Sequence, residues 1–157
     1  MPHIHSRWLL VSALTALTVV PASTTDSVAQ PACVPTQADA EGPFYQPNAP
    51  ERGATGRGIV VAGTVRSARG CGPLGGARIE WWSADGRGQY DDQHRAAQRA
   101  DADGRYRYET DFPGRYPGRP PHLHVRITAP GHRTLVTQLY PKAAQVAIEV
   151  DFVLLRD

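Results

Sequence analysis

The string HLH places His122 and His124 two residues apart, a spacing that can build a shared metal site. If residues 122–128 (HLHVRIT) form a strand, positions i and i+2 share a face with Cα atoms roughly 6.5–7 Å apart, so both imidazoles can converge on one ion. Two solvent-facing strand histidines would share that spacing, which by itself does not separate the two cases. The residues before the pair add information. Residues 115–121 (RYPGRPP) carry three prolines and a glycine, a stiff loop able to hold Tyr116 in place. A second glycine-rich loop, 85–90 (DGRGQY), ends on Tyr90. A phenolate is a hard anion and suits a hard, highly charged ion such as Fe(III), whereas thiolates select Cu(I), zinc or clusters. Two phenolates, two imidazoles and one hydroxide would neutralise Fe(III). Spacing alone does not single out Tyr90 and Tyr116 from Tyr45, Tyr106, Tyr108 and Tyr140.

Side chains with such a task need a rigid scaffold. The 157 residues include 15 Gly and 14 Pro, which argues against a helical bundle and for strands joined by turns. Strands are expected at 58–65 (GIVVAGTV), 77–83 (ARIEWWS), 105–109 (RYRYE), 122–128, 134–140 (TLVTQLY) and 146–154. Turn-rich stretches at 67–76, 85–88 and 101–104 separate them. In 77–83, Ile79 and Trp81 face one way and Trp82 the other, so one tryptophan belongs to the core and its neighbour can line a pocket. Residues 91–100 (DDQHRAAQRA) have little apolar content and read as a loop with room for a helical turn. His94 and His132 lie off the histidine pair and are expected to be solvated. The pattern is that of an all-β chain, an antiparallel β-sandwich in a single domain.

Residues 1–7 hold Arg7 and no acidic residue, 8–20 are uncharged, and small residues follow, with cleavage expected after Ala22 or Ala29. That order marks 1–29 as a secretory signal peptide and leaves 30–157 as the domain. Thirteen uncharged residues are too few for a membrane span, which needs about 20. The protein is therefore expected to be exported, to a periplasm or outside the cell, and free of the membrane after cleavage. An oxidising compartment makes the only two cysteines, Cys33 and Cys71, an expected disulfide. Closing that loop should stabilise the fold by roughly 3–4 kcal/mol. Lys and Arg number 17 against 15 Asp and Glu, too even a balance for a nucleic-acid footprint.

The string EGPFY at 41–45 resembles a segment of the intradiol ring-cleavage dioxygenases, the catechol 1,2- and protocatechuate 3,4-dioxygenases. Further similar features follow in order. They are the strand 78–82 leading to GQY at 88–90, the turn 101–104 with 105–110, PGRY at 113–116, RPPHLH at 119–124 and TQLY at 137–140. The resemblance spans about 33–157. It implies a transthyretin-like β-sandwich around one non-haem Fe(III). Position by position, it implies Tyr90 and His122 as equatorial ligands and Tyr116 and His124 as axial ones. Tyr116 would leave the metal when a catechol-type diol chelates, and would act as a base. Arg119 would stabilise charge developing on the ring, work suited to a guanidinium that cannot lose its proton. Gln138 would stand behind the substrate. The implied reaction consumes an aromatic diol and O2 and gives a cis,cis-muconate-type diacid. For 41–45 a structural role is expected, with Phe44 and Tyr45 packed near the mouth of the site.

The chain also departs from that pattern. It shows no counterpart of the N-terminal helical region through which larger members dimerise, which leaves the oligomeric state open, a homo-oligomer included. After 137–140 those members continue into a long excursion over the site, where this chain has only 141–145 (PKAAQ) before its last strand. An open pocket follows. The competing reading is an exported β-sandwich that binds a metal or an aromatic ligand without turnover.

Overall fold

Alternating apolar and polar residues build eight strands in the computed structural model, which describes residues 33–157. The expected signal peptide lies outside the described residues. The strands are β1 (Ile59–Ser67), β2 (Arg78–Ala84), β3 (Tyr90–Arg99), β4 (Arg105–Thr110), β5 (Leu123–Thr128), β6 (Leu135–Leu139), β7 (Ala147–Glu149) and β8 (Phe152–Leu154). One sheet runs β4-β1-β7, with β8 also paired to β1, and the other runs β3-β2-β5-β6. The β-sandwich expectation holds, but not every pairing is antiparallel. β7 and β8 both lie parallel to β1. They replace the single strand expected over 146–154. The run breaks at Val150 and Asp151, where the Asp151 carboxylate accepts from the Thr64 amide at 2.8 Å and from the Arg66 side chain at 2.7 Å.

The core lies between the sheets. Ile59, Val61 and Val65 face Ile79, Trp81, Val125 and Ile127, with Phe152 and Leu154 closing the end. Trp81 stacks on Tyr108 at 4.5 Å between centroids, and Tyr106 on Phe152 at 5.4 Å. Each buried tyrosine finds a polar partner: Tyr106 donates to the Val150 carbonyl at 2.6 Å, and the Tyr108 and Thr55 hydroxyls lie 2.5 Å apart. These two tyrosines are thus structural, a choice that spacing could not make.

Residues 91–100 correct the loop expectation, since most of them belong to β3. Their composition is poor for a strand, but pairing to β2 from Arg78↔Arg99 to Trp82↔Arg95 and burial of Ala96 and Ala97 override propensity. His94 is corrected as well: it is 7% exposed, with Nδ1 at 2.7 Å from Asp91 and Nε2 at 3.1 Å from Asp111. His132 is half-buried, with its ring bonded to the Pro130 carbonyl and the Ser67 hydroxyl.

Burial alone would lower the His94 pKa, but the bonds and charges of Asp91 and Asp111 outweigh it and the net shift is upward. Asp91 is held low by His94 against its own burial, and Asp111 by the Arg57 amide and His94. A raised imidazole stabilises the fold below its unfolded value and loses that contribution as pH climbs through its folded value; depressed carboxylates lose theirs on acidification. The cluster should therefore stabilise most between about pH 4 and 6.5 and progressively less above. Urea unfolding at about pH 6 and about pH 8.5 checks this: His94→Gln should flatten the decline seen in the parent protein.

An arm of residues 33–55 wraps the second sheet. Cys33 is bonded to Cys71, 38 positions on, as expected. Thr36 pairs with Val153, and the Asp39 amide donates to Val136 beside β6. The arm then crosses the outer face, and its 50–52 stretch exchanges backbone bonds with Ala97 of β3. Both edges of this sheet are thereby covered, which removes the exposed backbone groups of edge strands. The covering also explains why polar side chains of the outer face, among them Glu80, Arg95 and His124, are buried.

Candidate metal centre

Register brings the site together on that covered face. Trp82 of β2, His124 of β5 and Gln138 of β6 stand side by side, since Trp82 pairs with His124 and His124 with Gln138. His122 comes from the turn just before β5, and Tyr90 opens β3 beyond an irregularity between Trp82 and Ala84. Three atoms meet. Tyr90 Oη, His122 Nε2 and His124 Nε2 form a triangle with all three sides 3.1 Å.

Its surroundings fix its protonation. His122 Nδ1 lies 2.7 Å from the Pro120 carbonyl and donates to it, which leaves the Nε2 lone pair pointing into the triangle. Burial lowers the His122 pKa, aided by Arg119, and pushes that of His124 down to about 3, aided by His122 and Arg119. Burial and the neighbouring Tyr116 raise the Tyr90 phenol, against Arg119 and Arg95. Two neutral imidazoles and one phenol thus share a pocket with fewer protons than lone pairs. The centre of a triangle of that edge is about 1.8 Å from each atom, a spacing at which the three donors would hold a cation between them. The residues fit a metal. Among the described residues there is no group of three or more His, Cys, Asp or Glu side chains that could hold one, so this mixed set carries the capacity.

Tyr116 stands beside the triangle and outside it. Its ring centroid is 6.0 Å from that of Tyr90 and 5.7 Å from that of His122, and its hydroxyl bonds to neither. It opens a tight turn, in which Arg119 donates its amide to the Tyr116 carbonyl at 3.1 Å. Pro117 and Gly118, at φ +80°, supply the second and third positions of a type II turn. The preceding residue Arg115 lies against Gly88: a Cβ on Gly88, at φ +85°, would fall 2.2 Å from the Arg115 carbonyl oxygen. Gly88→Ala should therefore destabilise the fold by about 2–4 kcal/mol and part the loops bearing Tyr90 and Tyr116. Thermal unfolding checks the first effect and metal content the second.

Arg119 and Gln138 meet beside the triangle, at 2.5 Å from the guanidinium to Oε1. Arg119 Nε is buried without a protein partner, a donor left for a ligand. Aromatic rings close the sides. Trp82 stacks on His124 at 4.8 Å and 6°, and Phe44 stacks on Tyr90 at 4.2 Å and 14°. Tyr45 packs on Trp82 at 5.1 Å. The expectation that 41–45 packs near the site and that one tryptophan leaves the core is met. The short segment after Tyr140 forms one wall of a cleft of about 580 Å³ whose other walls include Phe112, Arg115, Pro120 and Pro121.

Sequence reasoning missed two groups beside these side chains, the Pro120 carbonyl and the Asp39 carboxylate, which accepts from the Tyr140 hydroxyl at 2.9 Å. A backbone carbonyl has no sequence signal, although the two prolines before His122 fix its direction. Asp39 sits in a stretch without periodicity, and nothing local marks it.

The sequence model of a family described as Dioxygenase matches residues 28–154. Hydroxyquinol 1,2-dioxygenase of Corynebacterium glutamicum is 36% identical over 138 residues, 67% of this chain and 46% of that protein. 6-Chlorohydroxyquinol 1,2-dioxygenase of Cupriavidus pinatubonensis is 35% identical over 133 residues, 63% of this chain and 48% of that protein. The chain thus spans a little under half the length of these relatives. Among solved structures, the dioxygenase domain of a dioxygenase–carbohydrate-binding fusion from Streptomyces sp. SirexAA-E superposes with a TM-score of 0.71 at 32% identity. That match covers 79% of this chain and 100% of that one.

Proposed function

The chain belongs to the intradiol ring-cleavage dioxygenase family, and from that premise we propose that it opens catechol-type rings with O2 between the two hydroxylated carbons, using Fe(III), to give cis,cis-muconate-type diacids. The observation that carries this reading is the 3.1 Å triangle of Tyr90, His122 and His124. These three side chains would hold the ion and Tyr116 would complete the set. Bound Fe(III) would draw electron density from a chelated catecholate and make its ring reactive toward O2.

The chain's own residues do the rest. Pro120 holds His122 in the tautomer that presents its lone pair. Trp82 and Phe44 keep His124 and Tyr90 in plane and exclude water from their outer sides. Tyr116, whose ring stands beside the triangle, would accept a proton from the incoming diol. Arg119 offers a fixed positive charge and a free Nε–H to negative charge developing on the ring. Gln138 anchors that guanidinium. Export of the protein is part of the same proposal, supported by the Cys33–Cys71 disulfide, which persists in oxidising compartments.

The test is the visible spectrum of the purified protein, alone and with catechol under oxygen-free conditions. A phenolate-to-Fe(III) charge-transfer band that shifts on adding catechol is expected. A protein that stays colourless after Fe(III) reconstitution would overturn the reading in favour of a sandwich that binds without turnover.

A further inference from the structure

The hairpin that carries Tyr116 and Arg119 has a second face. These two residues are bridge partners around Pro117 and Gly118, so their side chains share the face turned to the metal centre. Their neighbours Arg115 and Pro120 take the opposite face. There they line the cleft of about 580 Å³, to which none of Tyr90, Tyr116, Arg119, His122, His124 and Gln138 contributes. Its volume lies within the roughly 300–1,000 Å³ of small-molecule sites. Phe112, Pro113, Pro121 and Pro141 give it apolar walls, and Pro113 and Pro141 are buried. Prolines are rigid before a ligand arrives, so little conformational freedom is lost when a ring packs on them. The wall at Lys142 is also preformed: Gln145 accepts from the Lys142 amide at 2.9 Å and donates its own amide to the Lys142 carbonyl at 3.0 Å.

Charge decides what fits. Arg115 and Lys142 bring two exposed cations to the cleft from separate segments, and no carboxylate lines it. Neither cation is ion-paired among the described residues. A flat apolar body with an anionic end answers both features: the ring covers Phe112 and the prolines, and the carboxylate meets the guanidinium and the ammonium. We propose that this cleft is a second small-molecule site, separate from the metal centre, and that it takes aromatic carboxylates. It asks for no vicinal diol, and it depends neither on the metal nor on turnover.

The test is calorimetric titration of the full chain, metal-free and iron-loaded, with cinnamate, cinnamyl alcohol and acetate. Cinnamate should bind once per chain in both forms, with a Kd at or below about 1 mM. The alcohol lacks the charge and acetate lacks the ring, and each should bind at least about fivefold more weakly. Both cationic side chains are exposed, so Arg115→Glu/Lys142→Glu should keep the parent's melting point and weaken cinnamate by at least about tenfold. A crystal structure of the complex should show the ring on Phe112 and Pro141. Cinnamate that fails to saturate by about 10 mM, binds the double variant as tightly as the parent, or lies on Tyr116 and Arg119 in the crystal would overturn the proposal. So would tighter binding of cis,cis-muconate, which would give the cleft to a ring-opened diacid, or a dimer in solution that the double variant dissociates. Should the charge reversals fail to fold, Arg115→Gln/Lys142→Gln takes their place with the same direction of effect.

Discussion

His122→Ala should leave a folded protein that no longer retains iron. The imidazole supplies one corner of the 3.1 Å triangle, and its lone pair is aimed there by the Pro120 carbonyl. Altering even a supporting partner of a metal ligand costs about 10–100-fold in affinity, and removing the ligand itself should cost more. Iron per chain, measured after gel filtration, should drop below about a tenth of the parent value, and the charge-transfer band with it. The fold should lose only about 1–3 kcal/mol, because the substitution removes one hydrogen bond, to the Pro120 carbonyl, and leaves the inter-sheet core untouched. Tyr116→Phe is the informative contrast. Its hydroxyl stands outside the triangle, so this variant should keep a larger share of its iron and turn over more slowly. An iron-loaded, fully active His122→Ala protein would sink the ligand assignment.

Cys33→Ser should lower the unfolding free energy by roughly 3–4 kcal/mol, the loop-closure effect of a 38-residue separation. For a domain of this size that is a melting point lower by about 11–15 °C. The arm keeps its backbone bonds at Thr36, Asp39 and Arg52, so the site should still assemble at low temperature and fail before the sandwich does. Parallel melts followed by the charge-transfer band and by far-ultraviolet circular dichroism would show it. The two should coincide in the parent and separate in the variant. Coincident melts in both would mean that the arm and sandwich unfold as one unit.

Much of this was readable in the residues. The i, i+2 histidines, the proline loop and the alternation of 77–83 each obey a local rule that the fold keeps. Where the reading failed, the deciding term was tertiary. β3 has the composition of a loop and becomes a strand because β2 on one side and the 50–52 stretch of the arm on the other satisfy its backbone. His94 looked like a solvated histidine because its partner Asp111 lies 17 positions away. Parallel pairing of β7 and β8 with β1 has no local signature, since alternation is the same in either direction. Spacing also could not sort the tyrosines: Tyr106 and Tyr108 of β4 turn into the core, while Tyr90 meets the two histidines across 32 and 34 positions.

The arm also sets the order of events during folding. It precedes every strand in the chain, yet its bonds are to residues made much later: Ala40 to Gln138 at a separation of 98, Tyr140 to Asp39 at 101, and Thr36 to Val153 at 117. Contacts so far apart in sequence form slowly and late. The arm cannot settle until β6 and β8 exist to receive it, and until it does, Tyr90 and His124 lack their cover. Iron capture is therefore expected near the end of maturation, after the last strand has docked, and the compartment in which that strand docks is the one that must supply the metal.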